Sequence, residues 1–311
     1  MLSRRSVRVK VMQLLYMLNR DEDLKFPEMV KAYKAGIWKT YELYILQLYL
    51  LLKVTQQAEN DAANKTAKFL PSDDDKTFKP VIYSNPCTKS LANHVGFLKL
   101  VEKYHLGENI DNDQLRRMYQ GFAELPEYKA YISAESHTDA EHSKILLELY
   151  KFLSSNDLYI EMCEDHFNNM SDDESLVAGA MKKTLKALPV SGPFYEEHAP
   201  SDETVQEFGE ELLRKTCQED AALFAEINPM LQNWDADRVA ILDMIMLKMA
   251  LCELIHFPTI PTKVTLNEFV EISKNYSTDK SKDFINGILD RLMKQLQTDG
   301  RIVKEGRGLI E

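Results

Sequence analysis

Residues 280–292 read KSKDFINGILDRL. Phe284, Ile288, Leu289 and Leu292 recur at the spacing of one helical face. In their midst stands Asn286-Gly287, the dipeptide most typical of a two-residue hairpin turn. Apolar spacing continues on both sides of the dipeptide, so the stretch predicts a helix over 280–297, with a hairpin at 286–287 as the alternative. Glycine inside a helix costs about 1 kcal/mol relative to alanine. A packing reason is therefore expected: a neighbouring helix passing close to Gly287, with Asn286 bonded to backbone or to a polar neighbour such as Asn267.

The same helical reading extends outward. Helices are expected over 264–275, 236–256 and 203–227, with a break at HFPTIPT (256–262). At the other end Ser3 is a fitting N-cap for a helix over 3–18, whose Val7, Val11, Leu14, Leu15 and Leu18 form one stripe. Pro27–Lys34 and Ile37–Ala63 read as two further helices. Residues 90–188 read as several shorter ones, while 70–87, 188–203 and the tail after 298 read as irregular. No stretch alternates as a strand does, and no repeat period stands out. The expected fold class is all-α.

Composition agrees. Glycine and proline number 11 each in 311 residues, and 44% of residues are hydrophobic, a balance that favours helices over turns. The four cysteines, Cys87, Cys163, Cys217 and Cys252, form no C-x-x-C pair and read as scattered thiols of a reducing cytosol. The N-terminus does not read as a leader, and the most apolar stretch, YILQLYLLLKV (44–54), is shorter than the roughly 20 residues a spanning helix needs. A soluble, cytoplasmic protein is expected.

The net charge of −11 opposes a broad electrostatic hold on nucleic acid. The charge is unevenly spread. Residues 1–55 hold 10 basic and 5 acidic groups, residues 56–200 hold 15 and 24, and residues 201–311 hold 13 and 20. Arg4 and Arg5 sit at the mouth of the first helix, where the helix dipole prefers anions. Helix stability would not select cations there. An anionic partner would account for them, since helix N-termini and arginine forks both suit phosphate; ordinary solvated residues are the plainer reading.

Catalytic patterns are missing: no G-x-x-x-x-G-K-[ST], G-x-G-x-x-G or G-x-S-x-G occurs. His137 and His142 stand five apart, a poor spacing for a shared metal on one helical face, and Cys163 with His166 has no second ligand pair. The acidic run SDDDK (72–76) lacks the spacing of a calcium loop. No enzyme, metal or cofactor is expected.

Three C-terminal blocks resemble the NusB family, the all-helical transcription antitermination factors of bacteria. The first runs through Trp234, Asp237, Arg238, Ile241, Leu242 and Glu253-Leu254; the second, IPTKVTLNEFVEISK, through Pro261, Lys263, Val264, Asn267, Glu268, Glu271 and Lys274; the third, SKDFINGILD, through Ser281, Phe284, Asn286, Gly287, Leu289 and Asp290. The N-terminal RRSVRVKVMQLLY is similar to the family's opening helix through Arg4, Arg5, Arg8, Met12, Gln13, Leu15 and Tyr16.

The resemblance implies a NusB-like helical bundle of two subdomains. Residues 1–40 and 201–297 would form the scaffold, 41–200 an extra, mostly helical insertion, and 298–311 a tail. It implies a binding protein that, with the ribosomal protein NusE, recognises single-stranded boxA RNA of ribosomal RNA transcripts within the RNA polymerase antitermination complex. Arg4, Arg5 and Arg8 are then expected at the RNA, with Lys10, Lys280 and Phe284 as further candidates; Phe284 is either core or stacked on a base. Asp237 and Arg238 are candidates for the NusE-facing surface. The alternative is a non-enzymatic interaction scaffold of NusB fold that has lost RNA binding.

Overall fold

The computed structural model describes residues 2–21, 23–167, 170–231 and 239–309. Among the described residues the chain is helical throughout, with no strand. It divides into two compact units, residues 38–199 and residues 2–37 with 200–309.

The second of these units is built around a helix that is apolar on every side. Residues 241–256 read ILDMIMLKMALCELIH, and Ile245 to Leu254 are buried apart from the half-buried Lys248. An all-round apolar helix is stable only in the middle of a core. Ile241–His256 (α14) is accordingly surrounded by Arg4–Arg20 (α1), Glu211–Gln218 (α12), Asp220–Ile227 (α13), Thr262–Tyr276 (α15) and Ser281–Thr298 (α16). The α1 stripe seats Val7, Val11, Leu14 and Leu15 in that core, with Leu18 at its edge. Residues 281–292 are helix, inside α16, with Lys280 as its N-cap, and the hairpin alternative is excluded.

The packing expected at Gly287 is not found. A Cβ built there meets nothing within 4 Å, and both Asn286 and Asn267 are at least partly open to solvent. Close approach occurs instead at Gly209, in the turn of π-helix Glu203–Glu210 that leads into α12. There a Cβ would lie 1.8 Å from Tyr33 Oη and 2.4 Å from Val7 Cγ1. Tyr33 donates to the Val205 carbonyl at 2.9 Å across that gap. The single helix expected over 203–227 is broken at Glu219, whose Oε2 lies 2.7 Å from His256 Nε2 at the end of α14. The tail is ordered through Lys304, whose Nζ donates to the carbonyls of Leu254 and Phe257. It satisfies the Leu254 carbonyl of α14 and that of the C-cap Phe257.

The unit of residues 38–199 is centred on the part of the long helix Phe26–Thr66 (α2) that follows residue 37. The sequence predicts two helices here, but the chain runs helically through Gly36, with Met29, Tyr33 and Ile37 buried in the unit of residues 2–37 and 200–309, and Tyr41 and Tyr44 in that of residues 38–199. One glycine, at about 1 kcal/mol, does not offset that burial. Shorter helices from residue 73 to residue 186 (α3 to α11) surround the run Tyr41–Ala58. Three of them begin in the segment 70–87 read as irregular, and none of the three exceeds seven residues.

His142 in this unit is buried near the N-terminus of helix Asp139–Leu153 (α9). His142 Nδ1 meets the Tyr131 hydroxyl at 2.7 Å, and His137 Nε2 meets the Tyr131 carbonyl at 2.7 Å. Burial, then the nearby His137, holds the His142 pKa below its ordinary value, against the opposing pull of Asp139 and Glu141. A histidine depressed in the folded state binds its proton more readily when unfolded. Its contribution is therefore complete above about pH 6.5 and is lost as pH falls from there toward the folded pKa. His198 is depressed by burial in the same direction. Thermal melts at pH 7.5 and 5.5 should show an acid loss of stability that is smaller in His142→Gln; an equal loss in both would show that His142 contributes nothing to it.

Candidate nucleic-acid interface

Ser3 caps α1, accepting from the Ser6 amide at 3.2 Å, and the first turn holds no acidic residue. Arg4, Arg5 and Arg8 leave the start of this helix, and each meets a carboxylate of the same unit. Arg4 Nη2 donates to Glu203 Oε1 at 3.2 Å, with its guanidinium 5.5 Å from the Phe208 ring. Arg5 donates through Nε and Nη2 to the two oxygens of Glu268 at 2.8 and 2.7 Å. Arg8 donates through Nε and Nη2 to the two oxygens of Glu253, both at 2.7 Å. The anions that arginines at a helix start call for are thus supplied within the chain.

The three differ in access. The side chains of Arg4 and Arg5 are 38% and 51% exposed, that of Arg8 only 2%. Arg8 lies between the rings of Phe208 (5.0 Å) and Phe269 (5.9 Å), and Thr265 Oγ1 adds a third hydrogen bond to Glu253 at 2.7 Å. A guanidinium so enclosed does not reach a phosphate. The expectation of an RNA contact at Arg8 is corrected: it is the cation of a buried ion pair that joins α1 to α14.

Lys10 is half-buried further along α1. Lys280 is exposed at the N-cap of α16, and Phe284, one turn on, is half-buried against the core. This helix start is clamped by Asp243 of α14, whose carboxylate accepts from Ser277 Oγ at 2.6 Å and Ser281 Oγ at 2.7 Å. The element common to the two groups is α15: its Glu268 and Glu271 face Arg5, and its C-terminal end leads into Lys280. Asp237 and Arg238 lie outside the described residues. Just beyond them in sequence the start of α14 borders a groove of about 540 Å³, lined by apolar Leu15, Leu18, Phe224 and Ile241 and by polar Asn19, Thr216, Asp220 and Lys248.

The model of the NusB family matches residues 160–294. The Transcription antitermination protein NusB of Salinibacter ruber is 38% identical over 109 residues, which is 35% of this chain and 68% of that protein. The chain belongs to the NusB family. The protein of the same name from Chloroherpeton thalassium is 34% identical over 115 residues, 37% of this chain and 54% of that protein. That of Methylacidiphilum infernorum is 37% identical over 98 residues, 32% and 68%. No solved structure matches the chain.

The NusB match contains α11 to α15 whole and most of α16, and leaves α1 outside. It begins at residue 160, some forty residues upstream of the point where the sequence predicts that the scaffold resumes. Sequence reasoning places Glu253 and Glu268 in the NusB pattern yet misses their work as arginine partners. The signal is present: Glu253 is a carboxylate near the end of an apolar run, and a charge buried there needs a cation or hydrogen-bond donors.

Proposed function

We propose that this chain is a binding protein of transcription antitermination, which takes single-stranded boxA-type RNA together with NusE. Membership of the NusB family carries the reading, joined to the surface position of Arg4 and Arg5 at the start of α1. Lys280 at the start of α16 adds a cation, and Phe284 a ring for an unpaired base. The candidate residues are Arg4, Arg5, Lys10, Lys280 and Phe284, with Arg8 holding α1 in place rather than touching RNA. The groove beside the start of α14 is the candidate surface for NusE. Residues 38–159, which the family match leaves out, are an elaboration of the NusB scaffold. Among the described residues no helix is long and apolar enough to cross a membrane.

Binding of a fluorescent boxA-type RNA, followed by anisotropy with and without NusE over a salt series, tests this. Expected is salt-sensitive binding that NusE tightens and that Arg4→Ala/Lys280→Ala weakens. The salt slope should become shallower in that variant, by roughly 0.7 for each phosphate no longer neutralised. No binding by the folded chain, even with NusE, would overturn the proposal. That outcome would favour a scaffold without RNA, the reading supported by the pairing of Arg4, Arg5 and Arg8 with glutamates of the chain itself.

A further inference from the structure

Arg5 and Arg4 stand side by side, but their chemistry differs. Arg4 makes one hydrogen bond, to an oxygen of the exposed Glu203. Arg5 is held along its whole Nε–Nη2 edge by both oxygens of Glu268, whose side chain is only 19% exposed. Glu268 is itself tethered, with Arg8 Nη1 3.5 Å from its Oε2. Two consequences follow from this geometry.

The first concerns charge. A guanidinium and a carboxylate in a two-point pair together carry little net charge, and Glu271 adds a second carboxylate to the surroundings of Arg5. An incoming phosphate meets the repulsion of those carboxylates together with the attraction of the arginine. Phosphate is a poor match. The second concerns shape. With its Nε–H and one Nη2–H taken up by Glu268, the planar group keeps the outer Nη2–H and the two Nη1–H donors, a fork that points away from the carboxylate. Such a fork matches two adjacent neutral acceptors on a base edge, and a guanidinium already fixed in one plane loses little freedom on making that contact. Guanine offers O6 and N7, and cytosine in an unpaired strand offers O2 and N3 on its open Watson–Crick edge.

We propose that Arg5 is a specificity-determining residue of the RNA site, reading a base edge with two adjacent acceptors instead of a phosphate, and that Glu268 is its positioning residue. This rests on the RNA-binding reading above. The non-specific phosphate contacts then fall to Arg4, Lys10 and Lys280.

The test uses the full chain, with NusE, and a single-stranded boxA-type RNA. One set of RNAs replaces each guanine in turn by 7-deazaguanine, which lacks the N7 acceptor; a second replaces each cytosine by uracil, which turns the N3 acceptor into a donor. In wild type, one replacement should weaken binding about tenfold or more, and its position tells guanine from cytosine. Arg5→Ala should weaken the parent RNA by a similar factor, leave the salt slope within about 0.3 of wild type, and abolish the penalty at that one position. Arg5→Lys, which keeps the charge but not the fork, should behave like Arg5→Ala. Glu268→Ala should lose base discrimination while its salt slope rises by roughly 0.7, because the charge of Arg5, no longer offset by the carboxylate, becomes available to phosphate; a merely structural role for Glu268 would not raise the slope. Salt-sensitive binding in which Arg5→Ala flattens the slope by roughly 0.7, or in which no base replacement couples to Arg5, would overturn this inference and leave the RNA-binding reading standing. No binding of any RNA by wild type would overturn both.

Discussion

Glu253→Gln is expected to destabilise the unit of residues 2–37 and 200–309 by about 3–5 kcal/mol. The change keeps the size of the side chain and removes only its charge. What it leaves behind is the Arg8 guanidinium, 2% exposed and enclosed by Phe208 and Phe269. Glu268 is no substitute, because its nearest approach to Arg8 is 3.5 Å and both its oxygens are already engaged by Arg5. A buried charge without its partner costs far more than the net contribution of the pair. The double variant Arg8→Met/Glu253→Met, which removes both charges and restores apolar volume, should accordingly be much closer to wild type than Glu253→Gln. Hydrogen exchange of the α14 amides measures the effect within the unit concerned. Protection in Glu253→Gln within about 1 kcal/mol of wild type would sink the account of a buried ion pair.

That pair shows where sequence reasoning carries and where it stops. The helical class, Ser3 as N-cap, the α1 stripe and the span of α16 are all legible, because each depends on the spacing of residues near one another in the chain. Arg8 is not. It lies one turn from Arg5 in the same family pattern, yet one guanidinium is buried and the other half-exposed. The difference is made by Glu253 and Glu268, some 250 residues downstream, through the way α14 and α15 pack on α1. The same limit explains the tail. Nothing local in GRIVK (300–304) predicts its placement; that comes from the Leu254 and Phe257 carbonyls that Lys304 finds. Glu219 is a third case, since the break it makes in 203–227 is tied to His256 on another helix. The candidate interface is legible as a set of residue types, and illegible as to which of them reach the surface.

Glycine gives the second large effect, through two substitutions of opposite sign. Gly209→Ala should destabilise its unit by about 1–3 kcal/mol or more. The added methyl would begin 1.8 Å from Tyr33 Oη and 2.4 Å from Val7 Cγ1, and neither neighbour has room to yield. Tyr33 is 1% exposed and committed to the Val205 carbonyl, while Val7 is fully buried in α1. Relief therefore means moving α1 away from the Glu203–Glu210 segment, which disturbs the Arg4–Glu203 contact as well. Gly287→Ala lies inside α16 with nothing within 4 Å of the new methyl. There only the helix propensity changes, and a gain of about 0.5–1 kcal/mol is expected. Hydrogen exchange of α1 and α16 amides in the two variants reads both signs. Stabilisation by Gly209→Ala would mean that Tyr33 and Val7 do not pack as described; destabilisation by Gly287→Ala in the isolated chain would mean that a close neighbour is present there after all. If Gly287→Ala stabilises the chain yet weakens its hold on RNA or NusE, the glycine that no internal contact explains is one that a partner approaches.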